Sequence, residues 1–278
     1  MRAKYSSILI TGASSGIGHA LARAFAGPRV HLALNGRSEQ RLAAIAQECR
    51  AAGAVVRIGR TDVRLRERLA NWIEAVDAEH PLDLVIAGAG ISTGTGMGRR
   101  REIPEAVRGI VGINLLGVLN TVEPAMARMS RRGRGRIAII GSMAAIRGLP
   151  YSPSYCATKA AVHCYAEAIR ANLRQEGVGV TLIIPGFVST AMNRDLRGPH
   201  LLETSAENAA AIIRRGLERA HPVIAFPRLL YFATHLTRLL PARLVDAAMN
   251  RVHVDVRETE ERGLEEPLTT NPGTPRSQ

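Results

Sequence analysis

The chain has 278 residues, 46% of them hydrophobic, with 26 Gly, 14 Pro and 3 Cys. This composition excludes a chain disordered throughout, a collagen-like repeat and a disulfide scaffold, and the length suits one sizeable domain. The formal net charge is +13, and nearly every cation is arginine, since Lys4 and Lys159 are the only lysines among 37 Lys+Arg.

No targeting segment is legible. The first apolar run, 8–10, is too short for a signal core and leads straight into Thr11-Gly12. The longest stretch free of Asp, Glu, Lys and Arg is 177–193. It is shorter than the roughly 20 apolar residues of a membrane span and has Pro185-Gly186 in its middle. Cys49, Cys156 and Cys164 are odd in number and form no CxxC. They fit a reducing cytoplasm and roles as small packing residues.

In chain order, short apolar runs alternate with longer amphipathic segments. The pattern predicts a strand over 7–10, a helix over 17–26, a strand over 30–34 and a helix over 38–52. Strands follow over 55–58 and 82–87, with a helix over 66–79 between them. A long helix over 105–129 precedes a strand over 136–140. A helix over 153–176, a strand over 178–184, a helix over 206–220 and a strand over 223–226 complete the series. Apolar strands alternating with helices specify a parallel sheet buried on both faces, the doubly wound α/β class. Residues 1–226 therefore read as one Rossmann-type domain. Residues 227–253 read as an apolar, arginine-bearing helical extension, and 254–278 as a disordered acidic tail.

The first strand ends in Thr11-Gly12-Ala13-Ser14-Ser15-Gly16-Ile17-Gly18. A strand, a glycine-rich turn and a helix N-terminus make a phosphate site, because glycines let a pyrophosphate approach backbone N–H groups at the positive end of the helix dipole. The spacing is G-x-x-x-G-x-G rather than the common G-x-G-x-x-G. The second strand ends at Asn35-Gly36-Arg37, where an acidic residue would hold the 2′-hydroxyl of NAD. A guanidinium there suits a 2′-phosphate, so the site leans to NADP, with NAD as the alternative. Ser15 is a second donor to that phosphate.

Tyr155 and Lys159 lie one helical turn apart, with Pro153 suited to the first turn of their helix. A phenol is a poor base at neutral pH, and a nearby ammonium favours its ionised form. Ser142 ends the preceding strand on the carboxyl edge of the sheet. The arginine bias sharpens this reading: one of two lysines stands where a compact ammonium of adjustable pKa is needed.

These residues resemble the short-chain dehydrogenase/reductase family. Thr11-Gly12-xxx-Gly16-x-Gly18 is similar to its cofactor motif, and Asp62-Val63 to its adenine-contacting pair. Asn114, Ser142 and Tyr155-xxx-Lys159 are similar to its catalytic residues, with the family's 13-residue interval from Ser142 to Tyr155. Pro185-Gly186, Val188 and Thr190 resemble its segment near the nicotinamide. The resemblance covers roughly residues 6 to 226. It implies a cofactor set of Gly12, Ser14, Ser15, Gly16, Ile17, Gly18, Arg37, Asp62, Val63, Ala89, Gly90, Tyr155, Lys159, Pro185, Gly186, Val188 and Thr190. It also implies that Tyr155 is the general acid/base and that Lys159 lowers its pKa and binds ribose. Ser142 would hold the carbonyl or alcohol oxygen, and Asn114 a water that relays protons. No metal site is implied. One departure stands out: Ala87-Gly88-Ala89-Gly90 replaces the family's Asn-Asn-Ala-Gly. The lost amides predict reduced local rigidity, and Gly88→Asn a gain in thermal stability.

The family's substrate pocket maps to Ser92, Thr93, Ala144, Ala145, Ile146, Leu149, Phe187 and Met192. This mostly apolar set predicts a hydrophobic ketone or alcohol as substrate. Arg147 is either a surface residue or a partner for an anionic group. The helices over 105–129 and 153–176 are the family's usual dimerising pair, so a homodimer or homotetramer is expected. Residues 227–253 either pack on the domain or a neighbouring subunit, or lie on anionic lipid, and Pro227 and Pro241 favour packing. Basic runs at Arg99-Arg100-Arg101 and at 131–136 have no interleaved aromatics, so nucleic acid is not an expected partner. Rival functions are a non-catalytic dinucleotide-binding sensor or scaffold, and a membrane-surface reductase of a lipid-linked substrate.

Overall fold

Seven short apolar runs form one parallel sheet. A computed structural model of the chain describes residues 4–92, 94–95, 101–190, 192, 196–197, 202–249 and 255–256. The strands are β1 (Ser7–Thr11), β2 (His31–Asn35), β3 (Val55–Gly59), β4 (Leu84–Ala87), β5 (Gly135–Ile140), β6 (Val178–Pro185) and β7 (Val223–Phe226). Their order across the sheet is β3-β2-β1-β4-β5-β6-β7. Every residue of β1 and β4 is buried, as expected when both faces of a parallel sheet are covered. One core cluster joins Ile8, Ile10, Leu21, Leu34, Leu42 and Ile213 on one face. The other joins Leu9, Ile73, Val85, Val122, Ile139 and Val162 on the opposite face.

Helices α1 (Gly16–Phe25), α2 (Glu39–Ala51), α3 (Arg66–Glu79), α4 (Pro104–Ile110), α5 (Gly117–Arg132), α6 (Pro153–Leu173) and α7 (Ala206–Glu218) flank the sheet. The order reverses beside β1, so the carboxyl ends of β1 and β4 open a crevice between diverging connections. Thr11 pairs in register with Asn35, and Ala87 with Ile139, which lines up the strand ends along one edge.

The helix expected over 105–129 is interrupted. A six-residue π-helical segment, Val111–Leu116, separates α4 from α5 and contains Asn114. Such wide turns occur mostly at functional sites. Together these pieces, Pro104–Arg132, are the one helical stretch among the described residues long and apolar enough to cross a membrane, yet half of it is buried in the protein. Its Val118, Val122, Ala125 and Met129 belong to the core.

Residues 227–249 form α8 (Arg228–Leu236), a 3-10 turn (Thr237–Leu239) and α9 (Ala242–Met249), with Pro227 capping α8 and Pro241 preceding α9. Leu230 and Tyr231 pack against the core and Val245 is buried. Leu229, Phe232, Leu236, Leu239, Leu240 and Leu244 stay exposed. Of the tail, only the short strand at Asp255–Val256, paired with Leu196–Arg197, is among the described residues. Thr93, Arg99 and Arg100 also fall outside them.

Candidate active site

The β1–α1 turn is built against the end of β4. Gly12 (φ +74) and Gly16 (φ +55) adopt left-handed backbone, which costs glycine little. A Cβ on Gly12 would also lie 2.8 Å from both Ala89 Cα and the Gly88 carbonyl oxygen. A Cβ on Gly18 would meet the Gly12 carbonyl at 2.3 Å. Glycine is therefore enforced twice over. Ser15 caps α1 in extended conformation, but its side chain makes no capping bond. Ser15 is exposed, and Thr190 lies beside Gly16.

Arg37 and Ser14 border the same crevice. Ser14 Oγ lies 3.0 Å from the Cβ position of Gly36. Arg37 is partly buried, and one of its terminal nitrogens, Nη1, is buried with no hydrogen-bond partner. A desolvated guanidinium N–H without an acceptor is costly, so this atom is suited to an anionic group. Asp62 is fully buried. Its Oδ1 accepts from the Arg64 backbone N–H at 2.9 Å and its Oδ2 from Arg64 Nη2 at 2.7 Å. Burial alone would raise the Asp62 pKa; the hydrogen bonds and charge of Arg64, with a smaller effect of Arg37, outweigh it and hold the carboxyl below its ordinary value. Val63 packs under Gly117, and its carbonyl accepts from Asn120 Nδ2 at 2.9 Å.

At the end of β4 the missing amides have a replacement that sequence reasoning did not identify. Thr11 Oγ1 accepts from the Gly88 N–H at 3.1 Å and from the Ala89 N–H at 3.4 Å. The hydroxyl thus ties β1 to β4 across the crevice. This overturns the expectation for Gly88→Asn. A Cβ there would sit 2.9 Å from the Thr11 carbonyl and 3.1 Å from Ile140 Cδ1. A backbone oxygen cannot yield cheaply, so the added side chain strains the junction instead of bracing it.

Asn114 and Lys159 meet at Gly90. The Asn114 side chain is committed at both ends: Oδ1 accepts from the Ile91 N–H at 2.8 Å, and Nδ2 donates to the Ile91 carbonyl at 2.9 Å. The π-helical turn aims this amide at the β4 loop. Lys159 is buried, and its Nζ donates to the Ile140 carbonyl at 2.9 Å. A Cβ on Gly90 would stand 3.4 Å from Asn114 Oδ1 and 3.7 Å from Lys159 Nζ. Burial pushes the Lys159 ammonium down to about 8.

Ser142 and Tyr155 complete the cluster. Ser142 Oγ accepts from the Ala144 N–H at 3.1 Å. Burial pushes the Tyr155 phenol above its ordinary 10.0, the neighbouring Ser142 side chain opposes the rise and Cys156 adds to it. The lowering expected from Lys159 does not emerge, although Nζ lies 5.8 Å from the ring centroid. Desolvation drives both groups toward their neutral forms.

Two supporting residues were missed from the sequence. Glu102 holds the start of α6, accepting from the Ser154 N–H at 2.9 Å and from Ser154 Oγ at 2.7 Å. It fixes the turn that carries Tyr155, since the Ser152 N-cap makes no side-chain capping bond. His163 Nε2 accepts from the Ser142 N–H at 3.2 Å. Burial, then Lys159 and His235, push the His163 imidazole down to about 4, so it stays neutral and keeps its acceptor. Its position four residues after Lys159 was the available signal.

A cavity of about 660 Å³ opens between the loop after β5, α6 and the C-terminal extension, and Asn114, Ser142, Tyr155 and Lys159 are not among its lining residues. Ala144, Ala145, Ile146 and Leu149, four of the expected pocket residues, form its apolar walls. Arg238, Asp246 and Met249 of the C-terminal extension close another side. Arg147 pairs with Asp246 at 3.4 Å, so it joins the loop after β5 to that extension. Pro185 ends β6, and Gly186 lies against Pro227, Leu230 and Met143. Val188 is buried, and Met192 is exposed.

Comparison with known proteins gives concordant matches. A family profile described as short chain dehydrogenase matches residues 6–200. A Myxococcus xanthus protein named an uncharacterized oxidoreductase is 36% identical over 252 residues, covering 89% of this chain and 98% of its own. Among solved structures, a short-chain dehydrogenase/reductase from Burkholderia phymatum in complex with NAD superposes with a TM-score of 0.76 at 22% identity, covering 90% of this chain and 97% of its own. A short-chain dehydrogenase from Sphingobium yanoikuyae in complex with NADPH gives 0.73 at 23% identity, covering 89% and 96%.

Proposed function

The chain belongs to the short-chain dehydrogenase family of oxidoreductases, and from that premise we propose that it is an NADPH-dependent reductase of a hydrophobic ketone. The observation that carries the reaction is the convergence of Ser142, Tyr155 and Lys159 beside Gly90 and Asn114. A non-catalytic sensor would tolerate the loss of any of these four side chains.

The residues present fit a nicotinamide dinucleotide. The β1–α1 turn and the N-terminus of α1 would hold its pyrophosphate. Arg37, Ser14 and Ser15 would hold a 2′-phosphate, Asp62 and Val63 would border the adenine, and Lys159 with Ala89 and Gly90 would hold the nicotinamide ribose. Pro185, Gly186, Val188 and Thr190 would border the nicotinamide. When bound, the nicotinamide supplies or accepts the hydride.

The protein's share of the reaction is proton transfer and orientation. The raised pKa keeps the Tyr155 phenol protonated at neutral pH, the state a general acid needs for carbonyl reduction. Tyr155 gives its proton to the carbonyl oxygen while Ser142 hydrogen-bonds the same oxygen. Lys159 carries its charge at neutral pH with Nζ anchored on Ile140, and stabilises the tyrosinate left behind. Both ends of the Asn114 amide bond Ile91, which fixes the orientation of the side chain beside Gly90.

The apolar residues that follow Ser142 in the chain, Ala144, Ala145, Ile146 and Leu149, support a hydrophobic substrate. Leu116 in the π-helical turn before α5 and Cys164 on α6 are exposed, which supports a homo-oligomer. The three cysteines are free, which fits a reducing cytoplasm.

The preference for NADPH rests on the unpartnered Nη1 of Arg37. Initial rates with NADPH and NADH on a panel of hydrophobic ketones test it beside Arg37→Ala. A charge-assisted hydrogen bond is worth ~1.5–3 kcal/mol, so KM for NADPH should rise roughly 10- to 100-fold while KM for NADH holds. A wild-type enzyme that prefers NADH, or a variant that loses both cofactors equally, contradicts the assignment.

A further inference from the structure

We infer that the exposed face of the C-terminal helices α8 and α9 is a docking surface for an anionic lipid bilayer. On α8, Leu229, Phe232 and Leu236 recur at helical spacing and are 74%, 62% and 62% exposed. Leu239 and Leu240 in the linker and Leu244 on α9 are also exposed, at 80%, 50% and 64%. The opposite side of the segment, through Leu230, Tyr231 and Val245, is already spent on the domain. Among the described residues the exposed leucines are therefore not spent on the domain, and exposed apolar surface of this kind marks interaction sites.

The charges on this face select the occupant. Arg228, Arg238 and Arg243 are exposed on the same segment, and among the described residues no carboxylate pairs with them. The segment's one carboxylate, Asp246, pairs with Arg147 of the loop after β5. A second copy of the chain meeting this face through a two-fold axis would set the three arginines against themselves, since such an interface uses the same patch on both sides. An anionic lipid surface instead offers phosphates to the arginines and acyl chains to the leucines, the combination that holds amphipathic helices in the plane of a membrane. The break at Pro241 gives two short helices, each carrying exposed leucines, so one long helix is not required.

The test is flotation of the purified full-length chain with vesicles of phosphatidylcholine alone and of phosphatidylcholine mixed with phosphatidylglycerol. It reads the surface without any turnover, so its failure is separable from failure of the proposed reaction. The wild type should float with the anionic vesicles, bind neutral ones weakly and be released by salt. The triple variant Leu229→Ser/Phe232→Ser/Leu236→Ser should lower vesicle partitioning by about tenfold or more with an unchanged melting temperature, since none of these side chains is buried. Arg228→Glu/Arg243→Glu should abolish the preference for anionic lipid. Failure of the wild type to bind either vesicle overturns the proposal, as does serine-variant binding equal to wild type. Light scattering of the same proteins supplies the remaining outcome: a drop in oligomeric mass in the serine variant would make this face a contact between copies and overturn the lipid assignment.

Discussion

Replacing Gly141 with alanine should damage the site through His163, a residue that touches no reacting atom. A Cβ on Gly141 would lie 2.2 Å from His163 Nε2, 2.6 Å from its Cδ2 and 3.1 Å from the Ile183 carbonyl. Ordinary contact needs ~3.5 Å, so the imidazole must retreat by about 1.3 Å. That retreat breaks the 3.2 Å bond from the Ser142 N–H. Overpacking costs ~1–3 kcal/mol and the lost bond ~1 kcal/mol, giving a total of about 2–4 kcal/mol. At ~2–4 °C per kcal/mol, the melting temperature should fall by roughly 5–15 °C. Displacing Ser142 should also lower kcat, by up to about a hundredfold for a shift of an ångström. The assay is a double-mutant cycle with His163→Ala, read by urea unfolding and by turnover. In the His163→Ala background the clashing ring is gone, so Gly141→Ala should cost little. If the two substitutions are additive, the steric argument is refuted.

Other consequences are open to direct measurement. Gly88→Asn should lower the melting temperature, at a cost of ~1–3 kcal/mol, because its Cβ meets the Thr11 backbone oxygen; an unchanged or raised value in calorimetry would show that the junction relaxes. Lys159→Met should alter the pH dependence of stability. The Lys159 pKa falls from 10.5 unfolded to about 8 folded, so between those values the unfolded chain binds more protons and wild-type stability rises with pH. Urea midpoints of wild type should therefore gain on those of Lys159→Met as pH climbs from about 8 toward 10.5; parallel curves would contradict the buried ammonium. The His163 pKa falls from 6.5 to about 4, so the stability it confers is lost as pH drops through that window, and His163→Gln should flatten the acid limb.

Much of the fold could be read directly, because the signals are periodic. Strands buried on both faces show as largely apolar runs: Leu84–Ala87 lies inside the expected 82–87, and Val178–Pro185 runs one residue past the expected 178–184. The π-helical turn at Val111–Leu116 carries no such mark: 111–116 is apolar and helix-compatible, and only tertiary packing around Asn114 widens it. At the site, the positions of Ser142, Tyr155 and Lys159 followed from spacing and from the scarcity of lysine. The direction of the tyrosine shift did not, because a sequence names the neighbouring ammonium but does not measure burial. Thr11 shows the same limit. The sequence presents it as the first residue of the glycine turn, yet its hydroxyl takes over a strand-tying role that the family gives to an amide. Asp246 walls the cavity from nearly a hundred residues beyond Arg147, a contact that no local pattern encodes.

The central claim is that Tyr155 delivers the proton in a hydride-transfer reaction. NADPH oxidation with a reducible hydrophobic ketone, wild type against Tyr155→Phe, tests it most directly, with cofactor binding followed separately by quenching of NADPH fluorescence. Losing a positioned general acid typically costs about 10²–10⁴-fold, so the variant should bind NADPH as wild type does while kcat falls within that range. Ketone reduction that survives Tyr155→Phe at the wild-type rate would contradict the account.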